Sequence, residues 1–178
     1  MVKGKRSLNA ALASVIAAAY AALVIALPGI SFMAFQVRVA DALLPLSIVL
    51  GWPAVVGVTV GCFVGNMAAP WGSWGLIAID MIGGSFANFL ASYLAYKIAY
   101  GRGRARRLVA VCVEIVVVTL IVGTYLTYII GGRLELGPLY YSILIGVLIG
   151  SIVAIGVMGY ALVEALERTG IIKLVRSS

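Results

Sequence analysis

Four stretches of this chain are too long and too apolar to belong to a water-soluble domain: Leu8 to Leu27, Leu76 to Tyr96, Leu108 to Ile130 and Leu139 to Leu166. A helix rises ~1.5 Å per residue, so roughly 20 apolar residues cross a ~30 Å hydrocarbon core. With 63% hydrophobic residues, 11% charged residues and a mean hydropathy of +1.15, the solvent of this chain is lipid. Two shorter apolar runs, 39–50 and 54–67, are separated by the break Gly51-Trp52-Pro53. Short helices of this kind are usually broken segments or lie packed beside a cavity. The predicted fold class is an all-α integral membrane protein. Its single domain, 1–178, is expected to hold six transmembrane helices over 8–27, 39–50, 54–67, 76–96, 108–130 and 139–166.

Composition removes several kinds of chemistry. Histidine is absent, which excludes a His-based zinc site and a Ser-His triad. Cys62 and Cys112 both sit in apolar runs and read as free thiols. The first apolar stretch lacks a small-residue cleavage site after it, so it reads as a retained span. The net charge of +7 does not point to nucleic acid, because the basic residues lie between spans.

Orientation follows from where those basic residues fall. Six spans put both termini on one side, together with 11 Lys and Arg residues; only Arg38 and Arg133 fall on the other, and 11 plus 2 gives the 13 in the chain. The positive-inside rule then predicts cytoplasmic termini in a multi-pass protein of the cell membrane. Trp71, Trp74, Tyr140 and Tyr141 fall near the outer interface, where an aromatic belt would account for them.

The remaining charges stand where lipid makes them expensive, by roughly 2.5–3.5 kcal/mol at a span centre. Arg38 and Asp41 are three apart at the outer mouth of the second helix, a spacing at which they can pair. Asp80 lies one turn into the fourth helix with no basic residue within one or two turns. It shares a small, polar face with Gly84, Ala87 and Asn88, suited to a close helix neighbour or a ligand. The alternative for Asp80 is an ion pair with Arg38 or Arg133 from another helix. Asn66 ends the third helix at the same level, where a C-cap would also explain it. Glu114 is nearer the basic loop, and a structural pairing with Lys97 or a loop arginine is expected. Gln36, Arg38, Asp41, Asn66, Asp80 and Asn88, with aromatic neighbours, form a set able to bind a flat polar molecule.

The first helix carries a different pattern. Ala10, Ser14, Ala18, Ala22 and Ala26 form one row at spacing four, and Ala13, Ala17 and Ala21 a second. Such a side-chain-poor face admits another helix closely, either inside the chain or from a partner subunit. Gly146 and Gly150 form a similar groove on the last helix, read as internal. There is no GxxxxGK[ST] phosphate loop, so any pumping draws on ions or on another chain.

Three segments, FQVRVADALLPL, GWPAVVGVTVGCFVGN and IDMIGGSFANFLASYLAY, resemble the QueT family of substrate-binding S components of energy-coupling factor (ECF) transporters, associated with uptake of queuosine precursors. Gln36, Arg38, Asp41, Ala42 and Leu43 follow a Q-x-R-x-x-E-A-L pattern, with Asp in place of Glu. Gly61, Cys62 and Asn66 follow G-C-x-x-x-N, and Asp80, Gly84 and Ser85 follow D-x-x-x-G-S. The resemblance implies an S-component-like bundle without cofactors or enzyme activity. It also implies a T component docked on the small-residue face of the first helix (Ala10, Ser14, Ala18, Ala22, Ala13, Ala17, Ala21) and two cytoplasmic ATPases.

The substrate it implies is a 7-deazaguanine, whose edge offers adjacent N–H donors and a carbonyl acceptor. Asp80 is the first candidate for the matching carboxylate and Asp41 the second. Gln36, Asn66 and Asn88 would complete the edge, Phe35, Trp71 or Tyr125 would stack on the ring, and Arg38 would orient Asp41. Competing readings are an S component for another vitamin, such as thiamine or riboflavin, a stand-alone ion-coupled carrier, a membrane enzyme and a purely structural membrane partner.

Overall fold

The computed structural model describes residues 2–33, 36–170 and 172, with side chains from Arg6 onward. Helices α1 (Val2–Ala26), α2 (Val39–Leu50), α3 (Trp52–Ala68), α4 (Trp74–Ala99), α5 (Arg104–Gly131) and α6 (Pro138–Arg168) follow one another, with no strand among the described residues. A single helical turn, Pro28–Ser31, follows α1. The Ser73 hydroxyl caps α4 by accepting the Leu76 N–H at 3.3 Å.

Four helices, α1, α4, α5 and α6, are long and apolar enough to cross a membrane. The two short runs expected as crossings behave differently. α2 is a 3₁₀ stretch, Val39–Leu43, that continues past Pro45 into the α-helix Leu46–Leu50. It is too short to span alone, and it is buried on nearly every side: Leu44, Leu46, Ser47, Ile48 and Val49 all lie in the interior. α2 is therefore the core of the bundle, with α1, α3, α4 and α6 packed against it. A largely apolar helix buried on every face belongs in a protein interior.

Glycines bring the backbones together. On α3, a methyl group added at Gly57 would lie 2.8 Å from Ile16, and one at Gly61 2.7 Å from the Ala17 carbonyl. α1 and α3 thus pack with almost no side chain between them, the small-residue contact that replaces hydrophobic drive in lipid. On α6, Gly150 sits directly against the Gln36 carbonyl, and Gly159 would meet the Ala42 carbonyl at 2.9 Å. The groove expected on the last helix is therefore internal, and at Gly150 it receives the backbone of Gln36 and Val37 just before α2. Between those two glycines, Ile152–Gly159 winds as a π-helix, a form often found at functional positions.

Gly51, with φ of 72°, turns the chain from α2 into α3 beside Tyr96 and Tyr100, at the C-terminal end of α4. The other end of α3 reaches Asp80, near the start of α4. Arg107 of α5 bridges Glu164 at 3.5 Å and also pairs with Glu167, and Arg104 reaches Glu164 at 2.7 Å. These contacts clasp α5 to the end of α6.

Candidate functional site

The buried polar residues form two adjoining groups. The first centres on Asp80. Asn66 donates through Nδ2 to its Oδ1 at 3.1 Å and to its backbone carbonyl at 2.9 Å. Trp71 Nε1 donates to Oδ2 at 2.7 Å, and the Tyr125 hydroxyl donates to Oδ1 at 2.8 Å. An Arg38 amino group stands 4.0 Å from Oδ1, so the cross-helix ion pair weighed for Asp80 is present. The same guanidinium reaches Cys62 Sγ at 3.9 Å and the Ser31 carbonyl at 3.4 Å, and lies over the Phe32 ring. Phe32 in turn meets Trp71 edge to face at 5.9 Å. A carboxylate that accepts from this many donors is fixed in place.

The second group surrounds a small, partly enclosed cavity of about 10 Å³. Its polar walls are Gln36, Arg38, Asp41, Asn88 and Ser151; Val118, Val122, Val147 and Gly150 complete it. That volume holds about one water molecule. Asp41 accepts a hydrogen bond from Tyr20 of α1. Asn88 is 2% exposed and its Nδ2 has no partner; Arg38 Nε is likewise buried and unpaired. Buried donors left open in this way are where a polar solute gains most from binding.

Several sequence expectations change here. Arg38 and Asp41 do not pair with each other and do not sit at a mouth; each is 5% exposed, and they point to Asp80 and Tyr20 respectively. The helical spacing argument fails because the 3₁₀ turn begins only at Val39, after Arg38 in extended backbone. Asp80 and Asn66 lie behind Arg38 and do not line the cavity, so the carboxylate that faces it is Asp41. Trp71 and Tyr125 spend their polar ends on Asp80, and the Tyr125 ring covers Gly83. Neither lines the cavity. Phe35 lies outside the described residues. Asn66 does end the helical Trp52–Gly65 stretch, but in right-handed backbone, and its side chain serves Asp80.

Glu114 is the clearest correction. It pairs with neither Lys97 nor a loop arginine. It is fully buried, neither carboxyl oxygen has a hydrogen-bond partner within 3.5 Å, and the Ser47 hydroxyl is the polar group beside it. The physical reason is its side of α5. Glu114 stands one turn before Val118 and two before Val122, on the face turned to the cavity, away from the loop. Tyr20 and Ser151 were missed. Tyr20 is the lone aromatic in the alanine-rich first helix and is completely buried, a signal that was available.

The two alanine rows of α1 also separate. Ala10, Ser14, Ala18, Ala22 and Ala26 are exposed. Ala21 is buried and Ala13 and Ala17 are half-buried, with the Ala13 and Ala17 carbonyls against Gly57 and Gly61. Between α1 and α3 runs an open groove of about 330 Å³, lined by Ala13, Ser14, Ala17, Val56 and Val60.

A membrane bundle with an interior polar cavity is what a solute carrier requires, and the family comparison decides which kind. A family model described as QueT transporter matches residues 10–168, nearly the whole chain. The chain belongs to the QueT transporter family. This QueT-family protein is therefore a membrane transport protein acting on a small molecule. No curated protein and no solved structure matches it.

Proposed function

We propose that this QueT-family protein is the substrate-specific S component of an ECF-type importer and captures a 7-deazaguanine, a queuosine precursor, from outside the cell. The observation that carries this reading is the polar cavity walled by Gln36, Arg38, Asp41 and Asn88. A guanine-like edge presents adjacent N–H donors, which the Asp41 carboxylate accepts, and a carbonyl, to which Asn88 or Arg38 Nε donates. Asp80, held by Asn66, Trp71 and Tyr125, fixes Arg38 behind that wall. At about 10 Å³ the cavity is far smaller than a bicyclic base, so loading separates α2 from the α6 stretch around Gly150.

In this reading all six helices act as one domain with both termini in the cytoplasm. Supporting it, α2 runs between the Asp80 level and the Tyr96–Tyr100 level, and 11 of the 13 Lys and Arg fall in sequence segments that six spans would put on one side. The exposed row Ala10, Ser14, Ala18 and Ala22 is the surface on which a T component docks, with two ATPases supplying the energy. The test is calorimetry of 7-deazaguanines on purified protein, with Asp41→Asn alongside. Tight binding weakened by about 1–3 kcal/mol in the variant is the expected result. No binding to folded wild-type protein would sink the 7-deazaguanine reading.

A further inference from the structure

Charge is unevenly placed at the two ends of α5. In the loop that follows it, Arg133 pairs with Glu135 at 2.9 Å, so the charges of that loop cancel. Around its start stand Lys97, Arg102, Arg104, Arg106, Arg107 and Arg168, and the acids there among the described residues are Glu164 and Glu167. Both acids are taken by Arg104 and Arg107. Lys97 lies over the Tyr93 and Tyr96 rings, and Arg102 donates to the Ile98 carbonyl at 2.8 Å. Arg106 is exposed and has no hydrogen-bond, ion-pair or ring partner among the described residues.

Arg106 also stands on a distinct face. It lies three residues before Val109 and seven before Val113, positions that share one side of a helix. Arg104 and Arg107 turn to the end of α6 instead. Along the Arg106 side runs an open groove of about 410 Å³, lined only by Leu108, Val109, Cys112, Val113, Val116 and Val117 of α5. Leu108, Val109 and Val116 are about half exposed, and no residue of another helix lines the groove. From Leu108 to Val117 it runs roughly 14 Å, at ~1.5 Å per residue. One leaflet of a ~30 Å hydrocarbon core is about 15 Å deep. The groove therefore matches the length of an acyl chain in one leaflet, and the unpartnered cation stands at its headgroup end.

We infer that α5 holds one anionic phospholipid from the leaflet at this end of the bundle, with an acyl chain in the groove and the phosphate received by Arg106. A long side chain on a helix leans toward the helix start, which carries the guanidinium away from the apolar groove to headgroup depth. A guanidinium fork matches phosphate oxygens in pairs. A zwitterionic lipid offers the same phosphate, but its ammonium meets the surplus of arginines around it. Basic clusters at a helix end draw anionic lipids for this reason. The site lies on the lipid-facing surface and is independent of the polar cavity inside the bundle.

The test is native mass spectrometry of the full chain in detergent, titrated with phosphatidylglycerol or with phosphatidylcholine of the same acyl chains. The first phosphatidylglycerol is expected to bind about fivefold tighter than the first phosphatidylcholine. Arg106→Gln should remove that preference, and Arg133→Gln, at the far end of α5, should leave it intact. Cys112→Trp, which fills the middle of the groove, should weaken the first site for both lipids. Arg106 and Cys112 are both exposed, so the fold tolerates these changes, and an unchanged Tm checks it. Equal binding of the two lipids, a preference that survives Arg106→Gln, or one lost equally in Arg133→Gln would overturn the inference. So would phosphatidylglycerol binding untouched by Cys112→Trp. Displacement of the lipid by inorganic phosphate, and not by chloride at the same ionic strength, would mean a free-anion site and overturn it as well.

Discussion

Asp80 shows how a single residue can be visible in a sequence while its role is not. A carboxylate one turn inside an apolar helix demands partners, and that demand is legible. The partners are not, because Asn66, Trp71, Tyr125 and Arg38 come from separate parts of the chain and no spacing rule connects them. Removing the carboxylate would leave a guanidinium, an indole N–H and an amide unanswered in the interior. Asp80→Ala is therefore expected to cost about 3–5 kcal/mol, read as a large fall in Tm in detergent. Asp80→Asn, which keeps the shape and one acceptor, should fall less. A Tm unchanged in both would show that the cluster does not hold the fold.

At the level of elements, α2 was readable as apolar but not as central. A run that is hydrophobic all round looks the same whether lipid or protein surrounds it. Glu114 was misread for a related reason: along the chain it lies near basic residues, but the turn of α5 aims it at α2. The contact between Gly150 and the Gln36 carbonyl makes the packing testable. A methyl group there overlaps backbone, which cannot move aside as a side chain can. Gly150→Ala is expected to destabilise by about 1–3 kcal/mol. Gly75→Ala, with nothing within 4 Å of the added carbon, should be neutral or slightly stabilising. Equal Tm values for the two variants would remove the close approach of α2 and α6.

For the whole molecule, two expectations follow from surfaces. With Cys112 replaced by serine and Cys62 buried, a cysteine at Ser73 or at Arg104 reports the two ends of the bundle. A membrane-impermeant maleimide should label intact cells at position 73 and not at position 104, and the reverse pattern would invert the proposed orientation. Ala18 lies on the exposed row of α1. Ala18→Trp should leave solute binding unchanged and abolish co-purification with a T component, whereas co-purification at the wild-type level would move the docking face elsewhere. The long helices and the positive bias of one side were legible because lipid imposes them directly. Which alanine row stays open was not, since both are equally small and only the position of α3 tells them apart.

The burial of α2 also has a consequence for biogenesis. Residues 36–38 belong to no helix, and non-helical backbone at membrane depth is tolerated only where protein covers it. Their cover includes Gly150, more than a hundred residues later in the chain. Synthesis proceeds from the N-terminus, so α1 to α4 leave the ribosome before α6 exists. The segment that forms the centre of the finished protein must then wait, unsheltered by its last neighbour, until the final helix is inserted. Membrane insertion of this chain is thus not a series of independent spans. It completes only when its last-made part closes over one of its first.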